Sequence, residues 1–188
     1  MVQKIIYFEK VGKDNTVVTL EAARNRAIEL GIKQVVVAST HGYTAKTAAD
    51  VFKGTGIEII AVGISCSFSD EGWDMKFEER REIEEKGIKV LTTLHGLGDG
   101  VSEAFLNENT PGSIVADTLR CFSQGMKVAV ECSIMAAEAG LISIDREVIS
   151  VAGTGEGADT AVVLKPAYAR KFKELKICEI LTKPRIGE

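Results

Sequence analysis

The sequence holds two histidines, and a glycine follows each: His41-Gly42 and His95-Gly96. The first pair sits within Ser39-Thr40-His41-Gly42-Tyr43-Thr44, between a valine-rich run and residues at helical spacing. Amides in the first turn of a helix lack intrahelical partners, and the helix dipole is positive there. Hydroxyls of Ser39, Thr40 and Thr44 add donors, and Gly42 lets the backbone approach a ligand closely. Together they suit a phosphate or a carboxylate. The same residues also suit plain capping, in which Ser39 or Thr40 only satisfies the helix start. A Walker lysine pattern is missing, which argues against a P-loop nucleotidase.

Another stretch reads Gly153-Thr154-Gly155-Glu156-Gly157-Ala158-Asp159-Thr160. Its glycines are spaced GxGxG rather than GxGxxG, and a strand follows rather than a helix, so a dinucleotide fingerprint fails twice. A glycine-rich hairpin folding over a ligand fits, and so does a flexible turn. Cys66 follows Gly63 and Ser65; a thiolate near His41 or His95 would be a nucleophile, given a lowered pKa. The four cysteines, at 66, 121, 132 and 178, show neither CxxC spacing nor a neighbouring histidine. Buried reduced thiols are expected, without a metal site. No nucleophile elbow is present. Phe68 and Trp73 would either stack on a planar ligand or anchor their loop.

These residues need elements to carry them. Asn15-Thr16 offers a helix cap; Leu20, Ala23, Ala27 and Leu30 mark one face, and Gly31 ends the helix. Residues 34–38 read as a buried parallel strand. Ala45, Ala48, Ala49 and Phe52 then mark a helix, and residues 57–62 a further strand. The loop 63–75 is too long for a tight connection. Residues 76–87 are mostly charged, a solvated helix face. Residues 88–91 form a third strand, followed by the glycine-rich 94–100. Thr110-Pro111 opens helical segments over 112–121 and 125–139. Residues 147–152 and 161–164 are strands too close for a crossover, so they pair antiparallel. A short helix and an apolar run, 177–181, complete the chain. Alternating strands and helices predict one α/β domain over residues 1–188: a three-layer sandwich, mostly parallel, with an antiparallel strand near the C-terminus. Ligands in such sheets bind beyond the carboxyl ends of the strands, which gathers both histidines at one edge.

At 188 residues, with 45% apolar and 27% charged residues, the composition is that of an ordinary globular domain. A net charge of −4 without a basic run argues against nucleic acid as partner. No apolar run approaches a membrane span, and the first ten residues do not read as a signal peptide. A cytoplasmic protein is expected.

Two segments, TLEAARNRAIELGIKQVVVASTHGYTAKTAADVF and AAEAGLISIDREVISVAGTGEGADTAVVL, resemble the C-terminal α/β domain of pyruvate kinase. The former is similar to that domain's first helix, strand, phosphate-binding Ser/Thr-Gly loop and next helix. The latter is similar to its late helix, strand, glycine-rich effector loop and closing antiparallel strand. The similarity is weakest over residues 63–125. It implies a regulatory domain that binds a phosphorylated effector, with catalysis in a separate barrel; these residues hold no barrel, so pyruvate kinase activity is not expected. The matching positions would be Ser39, Thr40, His41, Gly42, Tyr43 and Thr44 for the phosphate and residues 153–160 for the closing loop. The family often places arginine or lysine there. Here the positions hold His41, Glu156 and Asp159, and two acids would repel a second phosphate.

Similar stand-alone archaeal-type proteins imply FMN in this crevice. The expectation is a binding module, its FMN phosphate on residues 39–44 and its ring or sugar under residues 153–160 and 96–98, with Gly63, Ser65, His95 and Gly96 among the binding residues. The rivals are an enzyme working through His41, His95 or Cys66 on a small phosphorylated or carbonyl substrate, a flavin-dependent oxidoreductase, and a metabolite-responsive subunit. The resemblance leans toward a homo-oligomer, for which residues 110–139 could supply the interface or, equally, be simple core. Gly42→Val is expected to harm ligand binding more than folding.

Overall fold

The structure, a computed structural model, describes residues 4–98, 100–107 and 110–186. Asp99, in the glycine-rich 94–100 stretch, and residues 1–3 lie outside the described residues. The strands are β1 (Ile6–Phe8), β2 (Gln34–Ala38), β3 (Glu58–Gly63), β4 (Lys89–Thr92), β5 (Val148–Ala152), β6 (Thr160–Lys165) and β7 (Lys176–Pro184). They form a single sheet in the order β1-β7-β6-β5-β2-β3-β4. The helices are α1 (Thr16–Leu30), α2 (Tyr43–Val51), α3 (Phe77–Glu84), α4 (Val101–Leu106), α5 (Pro111–Arg120) and α6 (Gln124–Glu138).

Every pairing is parallel except those of β6, which runs antiparallel to both β5 and β7. The β5–β6 pairing runs from Val148↔Leu164 to Ala152↔Thr160. A connection this short cannot cross a sheet face, so the chain must double back. Sequence order reverses at β2, whose neighbours are β3 on one side and β5 on the other.

Both faces of the sheet are covered. Val35 and Val37 of β2 pack under α1, α2 and α3, with Leu20, Ala23, Ala45, Ala48 and Ile83. Val36, one residue out of phase, packs with Met126, Ala129 and Val130 of α6. Successive side chains of a strand point to opposite faces, so a strand buried on both reads as the unbroken run Val35-Val36-Val37. The charged segment folds as α3 and buries Ile83 alone. α6 is core nearly throughout, because it lies between the sheet and α5. It is therefore no free interface, whereas Ile114 of α5 stands 66% exposed.

Two local expectations change, and two elements were not anticipated. Asn15 does not cap α1: its side-chain amide donates to the Lys10 carbonyl at 2.8 Å, and a 3-10 turn, Lys13–Asn15, leads in. Leu30 is exposed, since the left-handed Gly31 ends the helix beyond the edge of the core. β1 has no sequence signature; three residues at a sheet edge are too few for an alternation to show. α4 has none either, and its six residues bury none of their number.

Candidate ligand-binding crevice

The chain leaves β2 at Ala38 and turns through Ser39 to Gly42 into α2. The Ser39 Oγ, nearly buried, accepts the Ala45 amide at 3.2 Å. Capping is therefore real, but it reaches only the third amide of the helix. The amides of Tyr43 and Thr44 have no protein partner among the described residues. Gly42 is left-handed (φ 87°), and a Cβ there would lie 2.9 Å from the Ile83 Cδ1. Its role is conformational and steric, so Gly42→Val carries a folding cost beside any loss of binding: Ile83 is fully buried and cannot yield freely.

The 153–159 loop, after β5, is bolted down from within. Asp159 is fully buried; its Oδ2 accepts the amides of Gly12 (3.0 Å) and Thr154 (3.1 Å). Its Oδ1 accepts the Thr160 hydroxyl at 2.7 Å. Thr160 Oγ1 lies 3.1 Å from Ser123 Oγ, which caps α6 by accepting the Met126 amide at 2.9 Å. Ala158 donates its amide to the Thr16 Oγ1 at 2.9 Å. Gly157 (φ 86°) passes so close to α1 that a Cβ would sit 2.5 Å from the Lys13 Cα. One carboxylate thus ties the loop to the turn that precedes α1 and, through Thr160 and Ser123, to the start of α6.

Between these loops, above the carboxyl ends of β2, β3 and β5, opens a crevice of about 600 Å³. Small-molecule sites fall in this size range, and the β2–β5 boundary is where an open α/β sheet binds ligands. Of the residues anticipated, Ser39, Thr40, His41, Tyr43 and Thr44 line one side. Gly63 and His95 line the floor, and Gly153, Gly155, Glu156 and Gly157 line the edge beyond β5.

The other anticipated residues serve the frame. Ser65 caps a 3-10 turn, Cys66–Glu71, by accepting the Ser67 amide. Gly96 backs onto α6, where a Cβ would meet the Glu131 carbonyl at 3.3 Å. Thr154, Ala158, Asp159 and Thr160 do not line the crevice. The charge argument changes with them: Asp159 is spent on internal donors, and Glu156 is paired with Lys13 at 2.7 Å. Lys13 also lies 4.3 Å over the Tyr43 ring, and the Glu156 hydrogen bond raises its pKa. Asp159 thus stands behind the crevice lining, and the charge of Glu156 is offset by Lys13.

Cys66 is exposed and stays outside the crevice; the cysteine that lines it is Cys132, whose thiol burial holds protonated by raising its pKa. His41 Nδ1 lies 3.4 Å from Glu79 Oε2. His95 packs against Phe68 at 5.4 Å, and Phe68 stacks on Trp73 at 6.2 Å and 13°. All three rings line the crevice as one aromatic cluster.

Sequence reasoning missed the opposite wall, built by Arg120, Gln124, Lys127, Glu131, Cys132 and Met135. Lys127 and Glu131 form an ion pair that is almost wholly buried. The Glu131 Oε1 also accepts the Leu97 amide at 3.1 Å. A signal existed: a lysine and a glutamate four apart inside the mostly apolar Gly125–Ala139 run.

The fold is an open α/β sheet with a crevice at the point where its strand order reverses. Residues 18–164 match the family described as pyruvate kinase, alpha/beta domain. The chain belongs to that family. Among solved structures it is similar to the pyruvate kinase of Cryptosporidium parvum, solved in complex with ADP, at 15% identity and a TM-score of 0.41. That match covers 89% of this chain and 23% of the other. No helix among the described residues is long and apolar enough to cross a membrane.

Proposed function

We propose that this domain binds a small phosphate-bearing mononucleotide, FMN favoured, in the crevice above β2 and β5. The observation that carries the reading is the start of α2. Ser39 satisfies the Ala45 amide and leaves those of Tyr43 and Thr44 unpaired at the crevice wall. Two free amides at the positive end of a helix suit a phosphate. The cluster of Trp73, Phe68 and His95 at the crevice suits a planar aromatic ring, which would pack against it by edge or face. One helix start of this kind supports one phosphate, in place of the charge argument that Asp159 and Glu156 no longer carry.

A cysteine-nucleophile enzyme has less support, since Cys66 lies outside the crevice and burial disfavours the Cys132 thiolate. His41 and His95 keep an acid–base or flavin-dependent role within the proposal, because both line the crevice. Four free cysteines support a reducing, cytoplasmic setting. The exposed Val101, Phe105 and Ile114 of α4 and α5 support a homo-oligomer.

The test is thermal unfolding of the purified protein with FMN and with riboflavin, its own spectrum recorded first. Ligand that binds the native state raises the melting temperature by mass action. A shift with FMN and none with riboflavin supports the phosphate anchor. Equal shifts, or none, overturn it.

A further inference from the structure

Lys127 is 9% exposed and Glu131 3%, yet both line the crevice. Holding an ammonium out of water is costly unless its donors are satisfied. Glu131 is engaged at both oxygens, one by the Leu97 amide and the other by Lys127. Lys127 is not. An ammonium carries three N–H donors; Glu131 takes one, and the others have no partner among the described residues.

The neighbours on this wall are of the same kind. Gln124 gives its acceptor, Oε1, to the Arg120 Nε at 2.9 Å, which leaves the two N–H bonds of its amide to offer. Arg120 donates a further bond to Asp117 at 2.7 Å and retains others. Arg120, Gln124 and Lys127 therefore present mainly donors to the crevice, and the one acceptor atom among their side chains, the Gln124 Oε1, is already engaged by Arg120. This wall lies on the α6 side of the sheet and the start of α2 on the other side, and the crevice joins them over the carboxyl edge of β2.

We propose that the α6 wall recognises the ligand's head group: Lys127 and Gln124 donate to acceptor oxygens at the end remote from the phosphate. The ligand class is then a phosphate monoester whose other end carries carbonyl or carboxylate oxygens, such as a ring dione. The assignment of ends rests on the phosphate reading above; the donor character of the wall does not.

The test pairs Lys127→Met with Glu131→Gln in one double variant, so that neither charge is left buried alone. FMN, riboflavin and phenyl phosphate are titrated calorimetrically against it and the unaltered protein. Phenyl phosphate has the anchor but no acceptor head. The unaltered protein should bind FMN at least about tenfold tighter than phenyl phosphate. The double variant should bind FMN about tenfold to a hundredfold more weakly and phenyl phosphate equally well, the size of a charge-assisted hydrogen bond. Unchanged FMN affinity overturns the proposal, and so does an equal loss for both compounds. Riboflavin bound as tightly as FMN, and lost in the variant, keeps the donor wall while the phosphate reading fails. No binding of any of the three overturns both. If the double variant does not fold, Gln124→Leu carries the test: FMN weakened several-fold with phenyl phosphate unaffected supports the wall, and no change refutes it.

Discussion

Replacing Asp159 by alanine takes the acceptor from two backbone amides, those of Gly12 and Thr154. The Gly12 bond is buried and the Thr154 bond partly so. Each donor left unpaired costs about 1–3 kcal/mol, toward the low end where water can reach it. The Thr160 hydroxyl is not stranded, because the Ser123 Oγ stands 3.1 Å away. The sum is about 2–4 kcal/mol, which for a chain of this size lowers the melting temperature by about 5–15 °C. Asparagine behaves differently. With its carbonyl in the Oδ2 place it keeps both backbone amides, and its NH2 faces the Thr160 Oγ1, which can turn to accept. Only the charge assistance is lost, about 1 kcal/mol or about 2–4 °C. Calorimetric unfolding of the two variants reads the difference. The 153–157 crevice edge hangs on this carboxylate, so FMN binding should survive in Asp159→Asn and fail in Asp159→Ala. If asparagine proves as damaging as alanine, or alanine costs under about 1 kcal/mol, the clamp does not hold the loop as described.

Gly42→Val should lower stability and ligand affinity together. The strain of a positive φ costs about 1–2 kcal/mol before the contact with Ile83 is counted. Gly155→Ala, where a Cβ meets open space, should cost the strain alone; equal melting temperatures for the two would refute the steric part. Native protein treated with a thiol reagent should modify Cys66, Cys121 and Cys178 at once and Cys132 only on unfolding, read by peptide mapping. Arg26 holds the Glu179 carboxyl below its ordinary value of 4.5 through bonds of 2.6 and 2.8 Å. A depressed carboxylate contributes stability that is present above that value and lost as pH falls through the folded one. Melting curves of Glu179→Gln should therefore lie below the parent's at pH 7 and converge with them in acid; a constant gap would refute the assignment.

The order of strands and helices was legible because each buried strand is an apolar run and each covering helix has its own period, and the placement of His41 and His95 at one edge followed from that order. What sequence could not give was which way polar side chains turn. Asp159 and Thr160 sit in a glycine-rich loop that reads as ligand-facing, yet the carboxylate is drawn inward by the amide of distant Gly12 and by Thr154 and Thr160 of its own hairpin. Lys127 and Glu131 err the other way. They lie in a run that reads as core, and the core does bury them, but at its rim, where the C-terminal edge of the sheet opens. Burial is thus shared by a carboxylate that holds the site together and a lysine that faces it. The two are separated by donor accounting: Asp159 has each oxygen matched by internal donors, whereas Lys127 has more N–H bonds than the protein accepts. A buried polar group whose bonding is complete belongs to the frame, and one with donors to spare at a crevice wall is the place to test for recognition, which is why Lys127 and not Asp159 carries the proposal.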